Sequence, residues 1–205
     1  LPQISGIAIG LYKFKEKTNR KIIIGTILIN LIIISYFGIS GFNNEFVISI
    51  SSKLKLILGV DELGMLFLGL INVLWLLTSF YAFGYMEKEK KIKRFYIFFI
   101  ATLGVTSGIA LSQNIISLYV FYEYLTLITF PLVIHKGSKE ALRVGKKYLA
   151  YSFFGATLIL LGIIIIINTG IDTRFVSHGF LSGVKNKEFL SSLFILMFLG
   201  FGVKV

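Results

Sequence analysis

Long apolar stretches are the feature that most constrains how this chain can fold. Five are complete, at residues 22–39, 63–86, 95–111, 115–135 and 148–167. Each is close to the roughly 17 to 25 residues that an α-helix needs to cross a hydrocarbon core of about 30 Å. Soluble domains do not combine 56% hydrophobic residues with a net charge of +11, so the composition also indicates a membrane protein. We therefore predict an all-α fold, a polytopic bundle of transmembrane helices.

The two ends of the sequence carry shorter apolar stretches, at residues 1–12 and 189–205. The first would rise only about 18 Å as a helix, which is too short to cross the core. Basic residues follow it, whereas in a secretory signal they come first. The second begins like the other spans and stops without a polar flank. We expect both to be partial spans, so that residues 1–205 form one membrane domain fragment of about six to seven spans.

Charge in the connecting loops predicts the orientation. Loops 13–21, 87–94 and 136–147 each contain five basic residues, against one, two and one acidic residues, so their net charges are +4, +3 and +4. The other connections, 40–62, 112–114 and 168–188, carry −1, 0 and +1. Because basic residues in short loops stay on the cytoplasmic side, the first three loops are predicted to be cytoplasmic.

This pattern of charge also indicates the partners. Basic residues lie in short clusters between apolar runs, and no nucleic-acid-binding module accompanies them, so a lipid bilayer is the expected partner and nucleic acid is not. We expect an integral membrane protein of a bacterial or archaeal cell membrane.

Two local patterns refine the expected fold. Residues 46–58, in an external loop, alternate apolar residues with Ser or Lys, which predicts a short strand or hairpin. Gly104 and Gly108 form a pair of small residues one turn apart in the span 95–111, which lets a neighbouring helix approach closely.

A single acid, Glu123, lies inside the span 115–135. It follows Asn114 by nine positions, which places it about 13 Å along a helix from the external turn, near the middle of the bilayer. A charge at that depth costs at least about 2.5 to 3.5 kcal/mol, so it must face protein, water or a counter-ion. Tyr119 and Thr126, four residues before it and three after, supply hydroxyls on the same helix face. The alternative is a carboxylic acid kept neutral by burial, which serves as a hydrogen-bond donor between helices.

Two further ionisable residues belong to the candidate site. Lys204 comes 15 residues after Phe189, about 22 Å along a helix, so it lies either inside the bilayer or at the basic flank of a tilted span. Inside the bilayer, loss of water opposes its charge and a nearby carboxylate supports it, which makes a switchable proton site. His135 is predicted at the cytoplasmic boundary, either as a proton relay or as an interfacial side chain.

Motifs of soluble enzymes are missing from the sequence. There is no Gly-rich dinucleotide or phosphate loop, no HExxH, and only two histidines in separate loops. The chain also has no cysteine. We therefore predict no cofactor, no metal site and no redox centre within this chain, and leave open whether it is part of an enzyme complex.

Four stretches of the sequence resemble a known family. They are "GVDELGMLFLGLI", "SLYVFYEYLTLITFPLVIH", "KKYLAYSFFGATLILLGI" and "FLGFGVK". They resemble the antiporter-like membrane subunits shared by respiratory complex I (NADH-quinone oxidoreductase), multi-subunit sodium/proton antiporters and membrane-bound hydrogenases. The resemblance extends over essentially all 205 residues and implies that residues 1–12 are the remnant of the family's first helix.

The resemblance implies a mechanism and partners. In that family an acid on the fifth helix pairs with a lysine on a broken seventh helix, and the pair gates proton movement along a buried polar axis. The matching positions are Glu123 and Lys204. The partners implied are other hydrophobic subunits of a membrane complex, together with protons or sodium ions. The sequence leaves open two other functions: a scaffold subunit whose charges only fix helix registry, and an unrelated secondary transporter.

Overall fold

The computed structural model of the chain describes residues 1–12, 14–40, 45–51, 54–89 and 91–203. Within these residues the helices are α1 (Pro2–Leu11), α2 (Glu16–Ser40), α3 (Glu62–Tyr85), α4 (Ile92–Ala110), α5 (Ile115–Val133), α6 (Lys139–Asn168) and α7 (Lys187–Gly202). Five of them, α2 to α6, are long and apolar enough to cross a membrane. The predicted polytopic helix bundle is therefore confirmed, and the chain is an integral membrane protein.

Side-chain caps determine where several helices begin. A side-chain oxygen accepts a hydrogen bond from a backbone N–H of the first turn, at Asp61 for α3, Asn114 for α5, Ser138 for α6 and Asn186 for α7. Such caps satisfy N–H groups that the helix leaves unpaired. The cap of α6 is Ser138, which lies in the basic loop 136–147. The helix therefore begins at Lys139, ahead of the apolar stretch at 148–167. The cap, and not the edge of the apolar stretch, sets this boundary.

Two hydrophobic cores fill the bundle. The first joins α1 to α4 and contains the buried residues Ile9, Ile23, Ile27, Phe83, Tyr96, Phe99, Ile100 and Leu103. The second joins α5, α6 and α7 and contains Ile115, Ile116, Ile159, Ile163, Ile166 and Leu193. On α4, Gly104 lies against Gln3 of α1 and Gly108 against Phe121 of α5. Each glycine makes room for a neighbouring side chain, but the two face different helices, so the pair does not form one contact surface for a single helix.

The three basic loops meet at one end of the bundle, which we call the basic end. Arg20 lies 3.7 Å from the Glu87 carboxylate, which joins the start of α2 to the loop after α3. The Arg94 guanidinium donates to the His135 carbonyl oxygen at 2.6 Å, which joins the start of α4 to the loop after α5. The three strongly basic loops of the sequence are thus neighbours in space.

The opposite end, which we call the hairpin end, carries a small sheet. Strand β1 (Phe46–Ser49) pairs antiparallel with β2 (Lys55–Leu58), as the alternating pattern at 46–58 predicted. The turn between α4 and α5 extends the pairing, because the Gln113 N–H donates to the Ile57 carbonyl and the Phe175 N–H donates to the Gln113 carbonyl, both at 2.9 Å. The hairpin, the α4–α5 turn and residues 173–175 therefore form one hydrogen-bonded layer over the start of α5.

Candidate functional site

Glu123 lies in the middle of α5 and is half-buried. The Asn114 side chain caps the helix by accepting from the Ser117 N–H at 2.9 Å, so the register of α5 is defined from its first turn. Tyr119 and Ile116, one and two turns before Glu123 on the same stripe, pack in the second core against α6 and α7. Glu123 therefore lies on the side of α5 that faces this core.

Three residues of α5 that carry hydroxyl groups, Tyr119, Tyr122 and Thr126, lie within about one helical turn of Glu123. Tyr119 and Tyr122 both lie close enough for the Glu123 charge to act on their hydroxyls. Thr126 is only 3% exposed, and its hydroxyl donates to the Tyr122 carbonyl oxygen at 3.4 Å. The Tyr119 and Thr126 side chains named from the sequence thus lie on the same part of α5 as the acid, and Tyr122 joins them.

The last turn of α7 reaches α5 at Tyr122. The Tyr122 hydroxyl donates to the Phe201 carbonyl oxygen at 3.5 Å, and the two rings meet edge-on with their centroids 5.3 Å apart. Lys204, the predicted partner of Glu123, lies outside the described residues. The described part of α7 nevertheless brings Phe201, three residues before Lys204, into contact with Tyr122, the residue just before Glu123.

On its other side, α7 contacts α6 through glycines. A Cβ atom on Gly155 would lie 2.6 Å from the Gly200 carbonyl oxygen, so the two backbones touch where the side chains are missing. Gly162, two turns further along α6, instead makes room for the Met197 side chain, whose Cγ would lie 2.6 Å from a Cβ atom there. Sequence analysis missed this contact, although the spacing of Gly155 and Gly162 on one helix face was a signal for it.

A second hydroxyl contact joins α5 to α6 nearer the basic end. The Thr129 and Tyr148 hydroxyls are 3.0 Å apart, and Thr129 also donates to the Leu125 carbonyl oxygen at 2.8 Å. The side of α5 that carries Tyr122 and Thr126 is therefore lined with hydroxyls toward the basic end. No pattern in the sequence marks Thr129 or Tyr148, because the pairing depends on how α5 and α6 pack.

His135 lies apart from these hydroxyls. It follows the end of α5, about 18 Å along the helix axis from Glu123, and its ring packs edge-on against Phe95 of α4 at 5.9 Å. Both ring nitrogens are buried without a hydrogen-bond partner among the described residues. Burial and the neighbouring Arg94 charge lower the pKa of His135. The structure thus groups His135 with α4 and not with Tyr119 and Thr126.

Two family models match parts of the chain. Residues 112–205 match the family described as NADH:quinone oxidoreductase/Mrp antiporter, TM, and residues 47–96 match NADH-Ubiquinone oxidoreductase (complex I), chain 5 N-terminus. Na(+)/H(+) antiporter subunit A1 of Staphylococcus aureus strain JH9 is 31% identical over 146 residues. The chain belongs to the antiporter-like membrane subunit family. The resemblance recognised in the sequence is thereby confirmed.

The matched relatives are much longer than this chain. The alignment with the strain JH9 subunit covers 69% of this chain and 18% of the relative, and the subunit of strain Newman gives the same values. A solved structure of the membrane-bound sulfane sulfur reductase, an archaeal respiratory membrane complex, contains a chain that matches with a TM-score of 0.71 at 19% identity. That match covers 99% of this chain and 41% of the other, so the antiporter-like subunit shares its fold with part of that chain.

Proposed function

We propose that this antiporter-like subunit translocates protons, or exchanges sodium for protons, as part of a membrane complex. The observation that carries the proposal is Glu123, a half-buried acid in the middle of a membrane-spanning helix, on the face that packs against α6 and α7. An ionisable side chain at that depth costs several kcal/mol and is retained in membrane proteins chiefly where ions or protons move. The proposal is also supported by the relative that is 31% identical to this chain, because that relative is a Na(+)/H(+) antiporter subunit.

The proposed working unit is a pair formed by Glu123 and Lys204. At an effective dielectric of about 20, two opposite charges about 4 Å apart attract by about 4 kcal/mol. This energy corresponds to a roughly thousandfold change in the proton affinity of the lysine. When the pair is closed, the Glu123 carboxylate favours the protonated lysine, and when it opens the lysine releases its proton. A conformational change in a neighbouring subunit would therefore drive proton movement.

The proton is proposed to come from the cytoplasmic side, which we assign to the basic end. The loop charges support this orientation, since basic residues remain cytoplasmic. The hydroxyls of Thr126, Thr129 and Tyr148 line the path from that end toward Glu123, and hydroxyls both donate and accept hydrogen bonds. Other subunits and lipid, in a bacterial or archaeal cell membrane, are the proposed surroundings. Large exposed side chains such as Ile39, Leu11 and Tyr81, at 89%, 77% and 70% exposure, suit such surroundings.

Glu123→Gln in the full-length protein, assembled in its complex and reconstituted in vesicles, tests the proposal. Glutamine keeps the shape and hydrogen-bonding capacity of the side chain and removes its charge and its titration. We expect proton or sodium transport to fall at least about tenfold, as loss of only about 1.4 kcal/mol of the pair's attraction would produce. The matched control is Glu140→Gln, an exposed acid in the first turn of α6, which should transport normally.

Two outcomes would contradict the proposal. Unchanged transport by Glu123→Gln with normal assembly would show that the acid does not handle ions. Reduced assembly with normal transport by each assembled complex would identify the chain as a scaffold subunit, in which Glu123 only holds helices together.

A further inference from the structure

We propose that α2, α3 and α4 enclose a binding site for ordered water beneath the basic end, formed by Asn19 and Arg20 of α2 and Tyr96 of α4. The site lies in the first core, apart from the hydroxyl-bearing side of α5, and it does not rest on the proposed function. The sequence did not single out these residues, because the site depends on polar atoms that only the packing of three helices brings together.

Three buried polar atoms carry the inference. The Asn19 side-chain oxygen, the Arg20 Nε and the Tyr96 hydroxyl are buried, and none has a well-directed hydrogen bond within the described residues. Asn19 is 4% exposed and Tyr96 is fully buried, so neither side chain faces the solvent around the loops. Native proteins ordinarily satisfy such atoms with ordered water, because a polar group buried without a partner is destabilising.

The packing around Phe83 of α3 brings these atoms together. The Arg20 guanidinium carbon lies 5.5 Å from the centre of the Phe83 ring, and the Tyr96 ring meets the same ring edge-on at 5.7 Å. The Arg20 charge therefore acts on the Tyr96 hydroxyl, although the two form no well-directed hydrogen bond. Asn19 lies one turn before Ile23, on the face of α2 that packs in the same core as Tyr96.

The mixture of donors and acceptors indicates water as the ligand. The Asn19 oxygen accepts a hydrogen bond, the Arg20 Nε donates one and the Tyr96 hydroxyl can do both. The Arg20 charge disfavours a cation, and the carboxylates of Glu16 and Glu87, which both pair with Arg20, disfavour an anion. A buried water molecule is neutral, donates as well as accepts, and typically makes about three hydrogen bonds, which these atoms can supply.

Arg20 connects the site to the surface of the basic end. Its side chain is 26% exposed while its Nε is buried, so one part of the side chain faces the loops and another faces the site. Glu16 binds its outer nitrogen, and Glu87 lies 3.7 Å from the same nitrogen. These carboxylates hold the guanidinium over the site, so water has a short route of entry and, once bound, is covered by the Arg20 side chain.

Asn72 of α3 offers a comparison inside the same part of the bundle. It is fully buried, and its side-chain oxygen also has no hydrogen-bond partner among the described residues. It lies 11 residues before Phe83, about 16 Å along the helix axis and away from the basic end. At that distance Asn72 cannot share a water molecule with Asn19 or Tyr96, so it serves as a matched control.

Pulsed hydroxyl-radical footprinting of the full-length protein in its assembled complex is the test, because radicals formed from water oxidise side chains beside bound water. After correction for intrinsic reactivity, we expect fully buried Tyr96 to be oxidised at a rate comparable with that of exposed Tyr12. Phe99, in the same core and stacked on Trp75, should be oxidised severalfold more slowly. Equal protection of Tyr96 and Phe99 would overturn the proposal. Equal oxidation of both would also overturn it, because the bundle would then be opening transiently.

Asn19→Leu tests whether the labelling comes from this site, because leucine keeps a branched side chain and removes its polar atoms. We expect the oxidation of Tyr96 to slow severalfold, toward the rate of Phe99. The matched control is Asn72→Leu, which removes the other buried asparagine oxygen without a partner in the described chain and should leave Tyr96 labelled at the wild-type rate. Unchanged labelling in Asn19→Leu, or an equal loss in the two variants, contradicts the inference.

Thermal unfolding of Tyr96→Phe provides a measurement that is independent of labelling. Loss of a hydroxyl that binds water should lower the unfolding temperature, whereas loss of a hydroxyl without any partner should leave it unchanged or raise it. Because Asn19 and Tyr96 are proposed to share one water molecule, the decrease should be smaller in an Asn19→Leu background than in the wild type. An unchanged or higher unfolding temperature for Tyr96→Phe, or an equal decrease in both backgrounds, overturns the proposal.

Discussion

The two ends of the bundle satisfy their buried polar groups in different ways. At the hairpin end, Asn114 is 1% exposed; its amide donates to the Lys55 carbonyl at 2.8 Å and its oxygen caps α5. Ser117 is fully buried and accepts from the Ile57 N–H at 2.7 Å. At the basic end, by contrast, the His135 ring nitrogens, the Arg94 Nε and the Asn19 side-chain oxygen are buried without a hydrogen-bond partner among the described residues.

This contrast indicates where water is needed. Buried polar atoms that lack a protein partner are ordinarily satisfied by ordered water, and most such atoms in the described chain belong to the basic end, with Asn72 in mid-helix and Gln113 at the hairpin end as the exceptions. The hairpin end is closed by protein hydrogen bonds and the basic end is suited to hydration. The difference supports proton entry from the basic end in the function proposed above.

The largest effect on stability is expected at the hairpin end, from Asn114→Ala. The change removes the cap of α5 and leaves the Lys55 carbonyl unpaired, which together should cost roughly 2 to 4 kcal/mol. Thermal unfolding in detergent would measure it. The matched change at the basic end is Ser138→Ala, which removes the exposed cap of α6 and should cost about 0.5 to 1 kcal/mol. Equal losses from the two caps would break the comparison.

A smaller effect is expected from Arg94→Met at the basic end. Arg94 donates to the carbonyl oxygens of Ile134 at 3.3 Å and His135 at 2.6 Å. If water can replace the guanidinium there, the loss of stability should be only about 1 kcal/mol. The same unfolding assay applies, with Arg143→Met, an exposed arginine of α6, as the control for lost charge. A loss as large as that of Asn114→Ala would show that the basic end is as tightly closed as the hairpin end.

The smallest effect is a pH dependence due to His135. Burial, and then the Arg94 and Lys91 charges, lower its pKa, while Glu89 opposes them. The unfolded chain therefore takes up a proton at about pH 6.5, before the folded chain does. The stability associated with neutral His135 is present above that pH and is lost as the pH falls through the folded pKa.

His135→Phe should therefore reduce the fall in unfolding temperature between neutral pH and pH 5. At neutral pH it should be close to neutral in stability, because both unpaired nitrogens are removed together. His178→Phe, at an exposed position, is the control and should keep the wild-type pH dependence. Parallel curves for the wild type and His135→Phe would mean that the buried ring is not what makes the basic end sensitive to acid.

Candidate residues were predictable where their signal is local. Glu123 stands out because one acid interrupts an apolar helix, and Tyr119 and Thr126 follow from helical spacing. Tyr122, Thr129 and Tyr148 were not predictable, since each acquires its role from a contact with another helix. His135 illustrates the same limit: its position in the sequence suggests either a proton relay or an interfacial side chain, and only packing shows that its ring lies against Phe95 of α4.

The amino-acid sequence was sufficient for the membrane class, the helical spans, the hairpin and the position of Glu123 in the middle of its helix, because hydropathy, alternation and helical rise are properties of short segments. Tertiary structure alone decided that Gly155 meets Gly200, that Tyr122 of α5 contacts Phe201 of α7 and that the two ends differ in their hydrogen bonding. These features depend on which helix faces come together, and shape matching between distant segments, unlike hydropathy, is not encoded in any single stretch of the chain.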